Sequence, residues 1–281
     1  MSRSTRAKEV EGNVGTTLLS VPGKVFASVL LRRVKSKLLQ ARRIEQSDFT
    51  PSRSTTYRIF TLNTLIQMRQ EFNQPPWIAY VDLKSAFDST DRQSLWLLIH
   101  SLGLPAKIVN LTKAFYTDTC NCVLADRITS DWFRVDCGVR QGCRIAADMF
   151  AVSINWLTER TVHRGCCGCT LGEEEFTDLD FADDITLLAE MIEVLLLALV
   201  VMNEEAAPLG LQIDRSKTKI QQIGNPPSTE HAVAVCNVNV KFVESFVYLG
   251  SAQHRNGSSD REIRRRIGIA RDCITQLDRH I

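Results

Sequence analysis

Two short apolar runs in this chain carry carboxylates at their ends, and that placement constrains the fold more than any other feature. Trp77 to Leu83 (WIAYVDL) is apolar and β-branched with Asp82 near its end, the pattern of a buried strand. Glu175 to Leu188 alternates around Asp183-Asp184, the pattern of two strands joined by a tight turn. Carboxylates seldom sit beside buried strands unless they are paired or coordinating, because desolvating a charge is costly. Three such acids at one sheet edge would hold two divalent cations roughly 3.5–4 Å apart, one activating a 3′-hydroxyl and both neutralising an in-line phosphoryl transition state. An isolated Asp-Asp pair is more simply an ordinary hairpin turn, so the pair alone decides nothing.

The rest of the chain supplies helices around these strands. Leu18 to Leu39 repeats apolar residues at spacings of three and four, which predicts an amphipathic helix with Pro22 near its first turn and Lys/Arg outside. Phe49 to Thr56 reads as a turn-rich loop, followed by a helix through Ile59, Leu62, Leu65, Ile66 and Met68 that Pro75-Pro76 stops. Asp91 to Leu102 is helical, Gly103 and Pro105 separate it from a helix with Ile108, Leu111 and Phe115, and Val123 to Val135 reads as a hairpin. Ala146 to Leu157 is predicted helical with Met149, Phe150, Ile154 and Leu157 on one face, and Met191 to Ala207 is a mostly apolar helix beneath a sheet. Helices with short antiparallel strands in this order predict the α+β class.

Composition excludes several classes. With 281 residues, 44% apolar and 23% charged, the chain is neither wholly disordered nor fibrous. Its longest apolar stretch, Val194 to Met202, is far shorter than the roughly 20 residues a membrane span needs. No signal segment opens the chain, and nine cysteines without a regular framework fit a reducing interior. A soluble intracellular protein without membrane partners is expected, in nucleus or cytoplasm. His163, Cys166, Cys167 and Cys169 have metal-like spacing but no second Cys/His pair, so they read as free thiols. Residues 1–44 carry ten Lys/Arg against two Glu, a local net of +8. The stretch 45–260 has a net of −9, and 261–281 a net of +3. Basic flanks around an acidic middle suit a phosphate backbone gripped at both ends with metal ions between, although solvated helix faces explain the charge alone equally simply.

The residues around the acids narrow the field. Phe181-Ala182-Asp183-Asp184 resembles the catalytic box of reverse transcriptases. Ala79 to Asp88 (AYVDLKSAFD) resembles their first catalytic motif, and Gly138 to Cys143 (GVRQGC) followed by Phe150 the motif between. Three motifs in order are a stronger signal than any one. Leu18 to Phe26, Phe49 with Arg53-Ser54-Thr55, Gly210 to Ile213 with Lys217-Thr218-Lys219, and Phe246 to Gly250 are also similar to the reverse transcriptases of non-LTR, LINE-type retrotransposons.

The resemblance implies an RNA-directed DNA polymerase with a right-hand fold: fingers over 15–76, a palm with an antiparallel sheet over 77–240, and a primer-grip region with the start of a truncated thumb over 241–281. Residues 1–14 match nothing in the pattern and are expected to be disordered. It implies metal ligation by Asp82, Asp183 and Asp184, with two Mg²⁺ or Mn²⁺ ions as cofactors. Phe87 falls at the gate that clashes with a ribose 2′-hydroxyl, or else is core packing. Gln141 and Gly142 would meet the nascent pair, and Arg53 and Lys84 would bind triphosphate or template phosphates. Lys217 or Lys219 would neutralise the leaving pyrophosphate or protonate it, and Tyr248, Leu249 and Gly250 would grip the primer, or else Phe246 to Gly250 is just an apolar strand. RNA template, DNA primer and deoxynucleoside triphosphates are the implied partners.

Several positions depart from the family pattern, and the short thumb keeps a non-enzymatic alternative open beside an enzymatic one. Asp48 and Ser52 stand where glycines are usual, Ala147 where proline is, and Asp214 where asparagine is. Neither an endonuclease domain upstream nor a zinc knuckle downstream is present in the sequence, so a fragment of a longer reading frame is expected. An inactive, nucleic-acid-binding remnant is one alternative. An RNA-templated RNA polymerase is another, against which Phe87 and the Phe-Ala before the Asp pair argue.

Overall fold

The computed structural model describes residues 19–48, 50–125, 128–224, 232–235 and 238–278; the expectation for residues 1–14, and Phe49, lie outside them. Helix α1 spans Val21–Gln40, starting three residues later than the periodicity suggests. Ser20 caps it by accepting a hydrogen bond from the Gly23 N–H, and Pro22 sits in the first turn, where no intrahelical donor is missed. Helix α2 (Thr55–Glu71) ends ahead of Pro75-Pro76 as expected, and β1 (Trp77–Val81) follows. A short α3 (Ala86–Ser89), then α4 (Arg92–Ser101) and α5 (Ala106–Tyr116), lead to two nested two-stranded ladders. These pair β2 (Cys120–Asn121) with β5 (Phe133–Arg134), and β3 (Leu124–Ala125) with β4 (Ile128–Thr129).

Helix α6 spans Arg144–Gly165 and is longer at both ends than its apolar stripe predicts. Met149, Phe150, Ile154 and Leu157 are all fully buried, and the hydroxyls of Thr158 and Thr161 donate to carbonyls four residues back, which keeps polar residues tolerable inside. The hairpin β6 (Cys169–Leu171) and β7 (Glu174–Phe176) precedes β8 (Ile185–Ala189) and the apolar α7 (Ile192–Ala206). The remaining elements are β9 (Lys219–Gln222), β10 (Ala232–Val235), β11 (Val238–Phe242), β12 (Ser245–Tyr248), β13 (Ser251–His254) and α8 (Asp260–Asp278).

Five strands form one sheet in the order β10-β11-β9-β1-β8. Strand β1 lies antiparallel to β8 on one side and to β9 on the other. The sheet is not antiparallel throughout: β11 runs parallel to β9. The β10–β11 hairpin docks through its second strand, which therefore takes the direction of β9. The sheet continues to Phe242, two residues beyond the boundary expected for the palm.

Because side chains alternate across a strand, β1 feeds two separate cores. Ala79 and Val81 pack with Leu187, Ile220 and the apolar residues of α6 and α7. Ile78 and Tyr80 face the other way, against Leu62, Leu65 and Ile66 of α2, Leu188 and Tyr248. Burial on both faces explains why WIAYV reads as a continuous apolar run. Each fully buried Ile, Leu or Val contributes about 1.5–3 kcal/mol, so this strand is a rigid base for whatever its end carries. No residue of α8 is buried.

Candidate active site

Asp82 follows the last residue of β1, and the register Val81↔Ile185 places it across from Asp184 at the same end of the sheet. Asp183 lies between Ala182 and Asp184 in a turn closed from both sides. The Phe181 N–H donates to the Asp184 carbonyl at 3.0 Å, and the Asp184 N–H to the Phe181 carbonyl at 3.1 Å. The expected strand-turn-strand around the Asp pair is therefore present, but its first arm is a bridge at Asp178↔Leu187 and Phe181↔Asp184, while β7 turns away to pair with β6. Ala182 has φ +59 and Asp183 does not have a positive φ, the pattern of a II′ turn, whose first central position glycine normally takes.

Strand β9 borders the same end from the other side. The Asp214 N–H donates to the Asp82 carbonyl at 2.7 Å, and the Thr218 hydroxyl oxygen accepts from the Asp82 N–H at 3.3 Å. Lys217 Nζ stands 3.5 Å from Asp82 Oδ2 and 3.9 Å from Asp214 Oδ2. Lys219 instead points its ammonium at the carbonyls of Ser216 and Thr218. Of the two candidate lysines, geometry thus brings only Lys217 to the carboxylates. Asp214, where the family pattern has asparagine, accepts through Oδ1 from the Ser216 N–H and hydroxyl, a role either side chain fills. Those bonds hold its carboxyl below the usual range.

The site is electrostatically crowded. Desolvation raises the Asp82 carboxyl, with Lys217 opposing and the charges of Asp214 and Asp183 adding to the rise. Asp184 is open to solvent on one side, yet desolvation by the surrounding protein and the charges of Asp183 and Asp82 push it up to about 6. Asp82 Oδ2 has no donor in hydrogen-bond geometry among the described residues. An oxygen whose nearest cation is the Lys217 ammonium at 3.5 Å, with the charges of the other acids around it, is a donor that a hard divalent cation satisfies, so these acids fit the expected metal. They are not drawn into finished ligand geometry: among the described residues, no three His, Cys, Asp or Glu side chains group as a metal-binding set.

A cleft of about 650 Å³ has a lining that includes Lys35, Phe87, Arg140, Gln141, Gly142 and Ala147, with none of the three acids among its wall residues. Phe87 stacks on Phe150 at 4.3 Å between ring centroids and packs against the main core, so it is at once half-buried packing and cleft wall. The loop that carries Gln141 is tightly anchored. Arg92 donates to the carbonyls of Gly138, Tyr116 and Val135, and the Arg140 guanidinium lies over the Phe115 ring at 4.7 Å. A Cβ on Gly138 would sit 2.5 Å from the Asp88 carbonyl oxygen, so only glycine permits this loop to lie against the first motif.

Other expected residues lie elsewhere. Lys84 lines a different cleft with Asn203, Gln212 and Ser216, and Arg53 is engaged by the Ile44 carbonyl and the Tyr57 ring. Tyr248 is buried, with its hydroxyl donating to the Leu179 carbonyl at 3.0 Å, so its side chain faces the core and not the surface. Leu249 and Gly250 form the turn between β12 and β13, where Gly250 is exposed. Ser52 adopts φ +64, so the glycine usual there does serve the backbone, whereas Asp48 has no positive φ. Cys167 and Cys169 are buried and Cys166 is exposed; burial pushes both buried thiols up to about 12.

Sequence reasoning missed Gln46, whose buried side chain hydrogen-bonds both Ala182 and the Asp48 N–H. It also missed Lys35 and Arg144, which bring positive charge to the cleft. Their basic helix faces were visible in the sequence, but not where those faces point. Among the described residues, no helix is long and apolar enough to cross a membrane.

Known proteins resemble this chain in sequence and in fold. A sequence model of the family described as reverse transcriptase (RNA-dependent DNA polymerase) matches residues 14–252. The chain is 26% identical over 178 residues to the retrovirus-related Pol polyprotein from type-1 retrotransposable element R2 of Nasonia vitripennis, covering 63% of this chain and 17% of that protein. It is 24% identical over 204 residues to the transposon TX1 uncharacterized 149 kDa protein of Xenopus laevis, covering 72% of this chain and 16% of that protein. The chain thus spans less than a fifth of these curated relatives. Telomerase from Candida tropicalis in complex with a fragment of telomeric RNA superposes with a TM-score of 0.54 at 13% identity, over 83% of this chain and 37% of that one. The apo form truncated from its C-terminal domain gives 0.52 at 12% identity, over 81% and 45%. These likenesses show a right-hand polymerase fold. With the match over residues 14–252 taking in all three carboxylates, and with retrotransposable-element polyproteins among the proteins it resembles, the chain belongs to the reverse transcriptase family.

Proposed function

We propose that this chain is an RNA-directed DNA polymerase domain that adds deoxynucleotides to a primer 3′-hydroxyl on an RNA template. One observation carries the reading: β1 and β8 deliver Asp82, Asp183 and Asp184 to one sheet end, where their mutual repulsion calls for cations. Asp82, Asp183 and Asp184 would hold two divalent cations, Mg²⁺ or Mn²⁺, which supply activation of the primer hydroxyl and charge neutralisation at the phosphorus. Residues 15–76 serve as fingers, 77–240 as palm, and 241–281 as primer grip and the beginning of a thumb.

The nucleotide pocket is the cleft lined by Phe87, Gln141 and Gly142, with Lys35 and Arg140 drawing the triphosphate. Phe87 is stacked on Phe150, which supports a role for its ring in excluding a 2′-hydroxyl. Gln141 offers both a donor and an acceptor to the nascent pair. Lys217, close to Asp82, is the better placed proton donor for departing pyrophosphate. Arg53 and Lys84, outside this cleft, serve as template-phosphate contacts. At the primer grip, the turn at Leu249 and Gly250 meets the primer, while Tyr248 supports it from the core.

The test is primer extension on an RNA template by purified residues 1–281 with Mg²⁺ or Mn²⁺. Deoxynucleotide addition that disappears in Asp183→Asn, with primer–template binding retained, is the expected outcome. A folded protein that binds primer–template but never extends it favours a nucleic-acid-binding remnant, and extension by Asp183→Asn removes that residue from the site. Phe87→Ala should raise ribonucleotide incorporation relative to deoxynucleotide by about tenfold or more. Unchanged discrimination would make Phe87 core packing alone.

A further inference from the structure

The turn that presents Asp183 leaves a backbone problem. Phe181 and Asp184 close it by bonding each other, which leaves the N–H and the carbonyl of Ala182 outside the ladder. Buried or half-buried backbone groups need partners, and Ala182 also holds a φ of +59 that an alanine rarely adopts. Both groups of Ala182 are met by one side chain. Gln46 Oε1 accepts from the Ala182 N–H at 3.2 Å, and Gln46 Nε2 donates to the Ala182 carbonyl at 3.4 Å. A carboxamide is a side chain that can accept and donate at once.

Gln46 is itself fixed. It is 1% exposed, and its Oε1 also accepts from the Asp48 N–H at 3.0 Å. Its backbone runs beside Asp180 as an isolated bridge, with the Ser47 N–H donating to the Asp180 carbonyl and the Asp180 N–H to the Glu45 carbonyl. Two arginines pin the segment. Arg42 bonds the Asp48 carbonyl at 2.8 Å and Asp148 of α6 at 3.0 Å, and Arg43 grips Asp178 with both terminal nitrogens.

We infer that Gln46 is a positioning residue for Asp183: its carboxamide clamps Ala182 and so sets the aim of the carboxylate that follows. The inference rests on the polymerase reading for its kinetic consequence, but the clamp itself does not. Residues 42–48 and the catalytic turn then form one unit, so displacing this segment would displace Asp183. A misaimed carboxylate lowers the rate of the chemical step, while nucleotide affinity, set by the separate Phe87 and Gln141 cleft, stays the same.

The test uses Gln46→Met, which keeps the volume of the side chain and removes all three bonds, beside Gln46→Glu, which keeps the acceptor and loses the donor. Amide hydrogen exchange of the peptide spanning 179–185 should accelerate by about tenfold in Gln46→Met, with β1 and α6 unchanged. In primer extension kcat should fall on the order of ten- to a hundredfold with KM for the deoxynucleotide within about twofold, Gln46→Glu falling between. Native exchange in 179–185 for Gln46→Met overturns the clamp. Acceleration spread equally over β1 and α6 also overturns it, because that signature belongs to general destabilisation. If the unaltered protein does not extend primers, the polymerase reading fails and the exchange measurement still decides the clamp.

Discussion

Two polar seams in this molecule are built from the same groups and differ in what surrounds them. In one, Arg42 and Arg43 reach from beyond α1 to Asp148, Asp178 and Thr158, with Asp178 fully enclosed and Arg42 nearly so. In the other, Glu262 at the start of α8 receives Arg265, Arg266 and the Ala252 N–H, while the Gly250 carbonyl accepts from both arginines. Both knit one element to another through arginine and carboxylate. The first lies in protein interior, where an uncompensated charge is expensive, and the second on an exposed helix, where water competes for every bond. Similar sets of bonds therefore make one seam that fixes the site and another that tethers a helix.

Replacing one partner in each seam sharpens this contrast. Arg43→Ala strands Asp178 and Asp180 in the interior, and a loss of about 3–5 kcal/mol in urea unfolding is expected. A loss no larger than that of a surface pair would break the comparison. A subtler probe is Asp180, fully buried, with neither carboxyl oxygen hydrogen-bonded among the described residues. Burial and the neighbouring Asp178 push its carboxyl well above the ordinary range, against the opposing pull of Arg43. A group whose pKa is higher folded than unfolded contributes stability below the unfolded value and loses it as pH rises through the folded one. The stability that Asp180 contributes should therefore fall as pH rises above its ordinary 3.8 toward the raised folded value, and Asp180→Asn should flatten that part of the pH profile. Identical slopes in the two proteins would show that Asp180 ionises as freely inside as outside.

The exposed seam should respond least. Glu262→Gln should leave the unfolding midpoint of the protein nearly unchanged at neutral pH, since α8 buries none of its residues. Its arginine hydrogen bonds hold the Glu262 carboxyl down to about 2 from an ordinary 4.5. The small stability it contributes is present above 4.5 and disappears as pH falls toward 2, so the two proteins should converge in acid. A midpoint loss comparable to Arg43→Ala would mean that α8 is more firmly seated than its exposure implies.

How much of this was legible in the sequence depends on the range of the interaction involved. The strand at Trp77, the helices α2, α4, α6 and α7, and the hairpin after Cys120 follow from local periodicity and stop signals, and the structure has them. The start of α1 was misplaced because apolar spacing continues past the cap, while Ser20 and Pro22 set the actual boundary. The parallel pairing of β9 with β11 was not legible, since which strand of a hairpin docks depends on distant edges. The motif containing Tyr248 does not say which way its ring points; alternation along β12 turns it into the core.

The site divides in the same way. The three carboxylates, Phe87 and Gln141 sit in contiguous motifs whose residue types already imply their chemistry, so the sequence by itself determined the family and the nature of the reaction proposed. The tertiary structure decided that Lys217 and not Lys219 approaches Asp82, and that Lys84 lies outside the cleft of Phe87. It alone revealed that Gln46, 136 residues before Ala182, holds the turn that aims Asp183. Local pattern reports what a residue is and which way its strand or helix faces it. Which two remote residues meet is settled only when the sheet, its two cores and the segments laid across them compete for the same buried backbone groups.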